Sequence, residues 1–112
     1  MLPSGVRILL CTEPQDMRRS FDALALVAQQ VLGEDPQDGV LLVFVGKRPT
    51  RVKVLWWDRN GYCLLYKRFH RAIVQLPSAD GAVGKSLKID GAALAQLLAG
   101  VPHENKRTKR LT

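Results

Sequence analysis

His70 and His103 are the only imidazoles in this chain and Cys11 and Cys63 the only thiols, so acid–base, nucleophilic or zinc chemistry would have to be built from these four and ten carboxylates. Their spacing does not build it. Zinc modules draw ligands from closely spaced Cys and His pairs, and here no two of the four are near neighbours. His70 lies between Arg68 and Arg71, and His103 precedes Lys106 and Arg107. Both therefore read as surface residues rather than catalytic bases. Asp16, Asp22 and Asp58 would be the carboxylates for metal-assisted phosphodiester chemistry, but Asp16 reads as a helix cap and Asp58 as a turn residue. The segment Gly81-Ala82-Val83-Gly84-Lys85-Ser86 ends like a phosphate-binding loop, yet position 79 is alanine where the first glycine is required, and no helix follows directly. The expectation is a protein that is not an enzyme, with no cofactor, no metal and no small-molecule substrate.

What the chain does concentrate is positive charge. Residues 1–46 sum to −3 and residues 72–112 to +3, so the Lys and Arg residues between 47 and 71, eight in number against Asp58, give +7, equal to the formal charge of all 112 residues. The stretch from Phe44 to Phe69 also holds both tryptophans and both tyrosines. A dense positive field interleaved with aromatics points to a polyanion, and a sequence pI near 9.9 agrees. Nucleic acid is the first candidate. Lys47, Arg48, Arg51, Lys53, Lys67 and Arg68 are expected to contact its backbone, with Trp57 and Tyr66 packing on sugars or exposed bases. Arg18 and Arg19, read as the start of a helix, would add phosphate contacts, with pairing to Asp16 and Asp22 as the structural alternative. The competing reading of the whole stretch is a solvated basic ribbon that keeps a small protein in solution.

The elements that must position these groups follow from periodicity. Val6 to Cys11 predicts a strand. Met17, Phe21, Leu24, Val27, Ala28, Val31 and Leu32 recur at helical spacing after Asp16 and predict an amphipathic helix ending at Gly33. Val40 to Val45 is a continuous apolar run, as expected of a central strand covered on both faces, and a basic loop joins it to Arg51–Asp58 as a hairpin. Asn60-Gly61 predicts a tight second hairpin, opposing Trp57 to Leu64, Leu55 to Tyr66 and Lys53 to Arg68. Its other face carries Val52, Val54, Trp56, Cys63, Leu65 and Phe69, so Trp56 is expected in the core and Trp57 to be more exposed. Ala72 to Leu76 should extend the meander, Ser78 to Gly84 form a loop, Leu87 to Ile89 an edge strand, and Asp90 cap a second helix whose Ala93, Leu94, Leu97 and Leu98 are apolar.

The result is an α+β fold: an antiparallel β-meander of about five strands covered by an amphipathic helix, with a short C-terminal helix. One domain spans residues 1–101, and residues 102–112 are expected to form a flexible basic tail. The start of the chain lacks the features of a secretory signal and no apolar run is long enough to span a bilayer, so a cytoplasmic protein without a membrane partner is expected. In that reducing compartment Cys11 and Cys63 read as small hydrophobes.

Several segments together resemble the TnpB accessory proteins encoded by the insertion sequence sixty-six family of bacterial mobile elements. They are Asp16-Met17-Arg18-Arg19-Ser20-Phe21-Asp22-Ala23-Leu24, Phe44-Val45-Gly46-Lys47-Arg48, Val52-Lys53-Val54-Leu55-Trp56-Trp57-Asp58, Gly61 and Lys67-Arg68. After Lys67-Arg68 the family usually shows Leu-Glu and a nearby glycine, where this chain has Phe69, His70 and Ala72. The resemblance implies a role in DNA transposition, in support of a separate transposase of the same element. It leaves three mechanisms open: DNA binding through the hairpin with weak sequence selectivity, a protein adaptor docking on the transposase without touching DNA, and an unrecognised nuclease.

Overall fold

The computed structural model describes residues 5–103. Its centre is β2 (Val40–Gly46), whose first six residues are each no more than 6% exposed. Alternation along a strand sends Leu41, Val43 and Val45 to one core and Val40, Leu42 and Phe44 to another. The unbroken apolar run is thus explained by burial on both faces.

On one side of β2 the chain continues antiparallel into β3 (Arg51–Asp58) and β4 (Gly61–Arg68), and on the other side lie β1 (Arg7–Gln15) and β6 (Ser86–Ile89), giving the order β4-β3-β2-β1-β6. β1 and β2 are parallel, because the helix α1 (Phe21–Gln30) carries the chain back between them. The expected α+β fold is present, but where an antiparallel meander of about five strands was expected the five-stranded sheet is mostly antiparallel, β1 and β2 forming a parallel pair.

α1 covers one face through Leu24, Ala25, Val27 and Ala28. The opposite face is closed by α2 (Gly91–Ala99), whose Leu94 and Leu97 join the core of Trp56, Val52 and Val54. Asp90 caps α2 as expected, its carboxylate accepting from the Ala93 N–H at 2.8 Å. No helix among the described residues is long and apolar enough to cross a membrane.

Four local expectations are corrected. Asp16 does not cap α1: its carboxylate accepts from the N–H of Arg18, two residues on, at 2.9 Å. That turn holds residues 16–19 outside the helix, which begins at Phe21 after an extended Ser20. The helix also stops at Gln30 rather than running to Gly33. In the β3–β4 hairpin Gly61 is already paired with Asp58, so Arg59 and Asn60 form the tip and Arg59, not Asn60, takes the positive φ of 57°. Lys53 therefore faces Tyr66, and Arg68 faces Arg51. Finally, Arg71 turns the chain out of the sheet with φ 60°. β5 (Ala72–Ile73) consequently pairs with β7 (Val101–Pro102) and does not extend the meander. The expected basic tail lies, beyond Pro102 and His103, outside the described residues.

Cys11 and Cys63 are free thiols, one buried under α1 and the other half-buried at the opposite face. Burial pushes the Cys11 thiol up, which lowers its thiolate fraction at neutral pH. A thiol reagent should therefore modify Cys63 first in the native protein, with the difference vanishing in denaturant; faster native labelling of Cys11, read by mass spectrometry, would contradict this packing.

Candidate nucleic-acid interface

β1 and β2 end side by side, and two turns leave from their carboxyl ends: residues 16–19 toward α1 and residues 47–50 toward β3. In open sheets with parallel strands this is where a crevice forms. Here it is a cleft of about 310 Å³ lined by Gln15, Asp16, Met17, Arg18, Gly46, Lys47, Arg48 and Arg51.

Its floor depends on an irregularity in β1. Residues 7–11 pair regularly with residues 40–44, but pairing resumes only at Gln15 and Gly46, so β1 bulges around Pro14. A proline has no N–H to give a ladder and is tolerated at such a bulge. The bulge turns Gln15 inward, where it is 3% exposed, donates to the Glu13 carbonyl at 3.1 Å and accepts from Arg19 at 3.1 Å. Met17 lies over Gly46, which leaves no room for a larger residue there: a Cβ at Gly46 would come within 2.8 Å of the Met17 side chain.

The walls are charged. Arg18 reaches back to Asp16 through Nε (3.0 and 3.1 Å to the two oxygens) and Nη2 (2.6 Å to Oδ2). This fork holds the Asp16 carboxyl far below the usual carboxylate range, Lys47 adding to the same effect. Among the described residues Lys47, Arg48 and Arg51 have no anionic partner; the ion pairs there are Arg7–Glu34, Arg18–Asp16 and Lys85–Glu13. Arg51 stands opposite Arg68 on β4, two like charges in register, a juxtaposition that costs stability in a bare sheet.

The structure divides the ten residues expected at a DNA surface. Arg18, Lys47, Arg48 and Arg51 share the cleft, and Arg68 adjoins it across the strand pair. Tyr66 lies on the same face, 48% exposed, with the Lys53 ammonium 4.6 Å from its ring centre. Arg19 is tied to Gln15 beside the cleft. Lys53 is different: it is 5% exposed, and its Nζ donates to the Arg19 carbonyl at 2.6 Å. It pins the 16–19 turn to the sheet and leaves the surface set. Lys67 points to the other face, donates to the Leu98 carbonyl at 2.6 Å and lies 4.8 Å from the Phe69 ring centre. Trp57 is half-buried and packs edge-on against Tyr62 at 4.9 Å. Six residues separate it from Arg51, about 20 Å along a strand.

Asp16 and Gln15 were missed as site residues. The Asp16-x-Arg18 spacing is a signal for a side-chain-closed turn, but the inward Gln15 follows from the bulge and has no local signature. The other motifs do not gather into chemistry. Among the described residues no three of His, Cys, Asp and Glu come together. The Gly84-Lys85-Ser86 segment leads into a strand, with Lys85 paired to Glu13.

Comparison with known proteins places the chain in a family. Residues 6–108 match the family model described as IS66 Orf2 like protein. Two proteins of Sinorhizobium fredii (strain NBRC 101917 / NGR234) are similar: "Uncharacterized protein y4hO", 44% identical across 90% of this chain and 87% of that protein, and "Uncharacterized protein y4jC", 34% identical across 73% and 71%. No solved structure matches the chain. With almost its whole length matched, the chain belongs to the IS66 Orf2-like family, the TnpB proteins of these insertion sequences, whose part in transposition is an accessory one.

Proposed function

We propose that this protein serves transposition by binding the DNA backbone through the basic surface around the β2–β3 turn, in the cytoplasm and alongside the transposase of its element, which carries the catalysis. The observation that carries this reading is the group of three cations, Lys47, Arg48 and Arg51, gathered on one cleft without an anionic partner among the described residues. Like charges held together and not bridged by an acid favour a bound polyanion. Arg68 extends the surface across β4, and Tyr66 offers an exposed ring beside it. Selectivity should be weak. Neither α1 nor α2 carries a Lys or Arg, so neither presents the cationic outer face of a reading helix.

Lys47, Arg48, Arg51 and Arg68 give about four phosphate contacts, so log affinity for duplex DNA should fall with log salt at a slope near −3.5, at −0.9 per contact. Alanine at any one of them should flatten the slope by about 0.9, whereas alanine at Lys67 should leave it unchanged. Titration of element-end and random duplexes at two salt concentrations measures both quantities.

A second reading, an adaptor that docks on the transposase without touching DNA, draws on the outer edge of β4, which no other strand of the described chain covers and which could accept a strand from a partner. Firm transposase binding with no duplex binding at low salt would decide for it.

A further inference from the structure

The cleft that anchors the proposed DNA surface already contains an anion, the carboxylate of Asp16. Arg18 grips it through Nε and Nη2, the two-nitrogen fork by which a guanidinium also grips a phosphate. Lys47, Arg48 and Arg51 line the same cleft, so four cations and one acid share it. A concave wall of net positive charge focuses its field inward. At about 310 Å³ the space admits a tetrahedral oxyanion and part of its hydration.

We propose that this cleft receives one phosphate group and that Asp16 is the chain's own competitor for it, a carboxylate that sets how tightly the phosphate is held. An incoming phosphate must either take the Arg18 fork from Asp16 or bind Lys47, Arg48 and Arg51 with a negative charge beside it. Both routes lower affinity. Weak, exchangeable holding suits a protein that must leave DNA again after contacting it without strong sequence preference.

Asp16 has two functions that substitution can separate. Its Oδ1 closes the turn by accepting the Arg18 N–H at 2.9 Å, and its charge occupies the fork. Asparagine keeps the acceptor and removes the charge; serine also offers an oxygen for the turn.

This inference rests on the DNA-backbone reading of the same surface, but inorganic phosphate tests it independently. Backbone amide shifts would be followed during phosphate titration, at constant ionic strength in chloride, for the native chain, Asp16→Asn, Asp16→Ser and the double variant Lys47→Ala/Arg51→Ala. Shifts should concentrate at residues 15–18 and 46–51. Asp16→Asn should bind phosphate about three- to tenfold more tightly, the effect of one charge at ~6 Å across a partly wet surface, Asp16→Ser should do the same, and the double variant should lose the site.

Shifts spread equally over distant cations such as Arg7 and Lys88 would overturn the proposal, as would phosphate binding left unchanged or weakened by Asp16→Asn in a protein that melts normally. If Asp16→Asn fails to fold, Asp16→Ser decides by the same measure. A duplex titration in parallel distinguishes the two readings. Duplex binding without phosphate in the cleft removes this inference and leaves the DNA reading; cleft phosphate tightened by Asp16→Asn without duplex binding does the reverse.

Discussion

Replacing Trp56 with alanine should lower folding stability by about 3–5 kcal/mol, the usual cost of deleting a large buried aromatic, while the same change at its neighbour Trp57 should lose about 1 kcal/mol. The two indoles differ by one position in β3, which sends them to opposite faces. Trp56 is 5% exposed, faces Cys63 across the strand pair and belongs to the core that α2 closes with Leu94 and Leu97. Removing it leaves a cavity in the middle of that core, since the strands on either side are held by their ladders and cannot close it. Trp57 is half-buried near the hairpin tip, with Tyr62 as its aromatic partner, and water can fill the space it leaves. Urea denaturation of the two variants reads the difference directly. Equal losses would refute the assignment of Trp56 to the core face and Trp57 to the more open one.

That assignment was legible from sequence because it depends only on a period of two. Val52, Val54 and Trp56 alternate with Arg51, Lys53 and Leu55 whatever strand lies beside them, and the hairpin register came out two residues away from expectation without moving any side chain to the other face. Register itself was not legible. Asn60-Gly61 marks a turn, but Gly61 pairs with Asp58 and the positive φ falls on Arg59, a choice between neighbouring turns that propensity separates by too little. The parallel pairing of β1 with β2 was legible in principle, since a strand, a helix and a strand in succession require a crossover.

At the candidate site the cations were legible and their availability was not. Lys53 shares the alternation of Arg51 and so was grouped with it, but the 16–19 turn folds over that part of the sheet and takes its ammonium as a donor. Nothing local to Lys53 announces a segment more than thirty residues earlier in the chain. Lys67 is likewise held by a carbonyl of α2. Charge density in a sequence therefore locates a basic surface but overcounts the groups free to meet a ligand, because long aliphatic stems let some of them reach inward and satisfy backbone carbonyls.

Gly100→Ala should be among the most destabilising single changes in the chain, at about 3 kcal/mol or more, although alanine adds only one methyl group. Gly100 ends α2 with φ 72° and ψ −178°, a region almost closed to residues with a side chain, and strain there costs about 1–3 kcal/mol. Sterics add to it. A Cβ at Gly100 would lie 2.5 Å from Phe69 Cε1 and 2.7 Å from the Ile73 carbonyl oxygen. Phe69 is 8% exposed and part of the Trp56 core, while Ile73 is paired with Val101 in the β5–β7 ribbon. Neither can withdraw without disturbing a packed layer, and overpacking of this kind costs a further ~1–3 kcal/mol. Gly46 supplies the contrast. There the methyl would meet the flexible Met17 side chain at 2.8 Å and the Arg48 carbonyl oxygen only at 3.2 Å, with φ outside the left-handed region, so Gly46→Ala should cost less and should act mainly by pushing Met17 into the cleft. Thermal and urea melts of the two variants should therefore rank Gly100→Ala well below Gly46→Ala. The reverse order would show that the turn joining α2 to β7 does not hold the Trp56 core in the way its geometry requires.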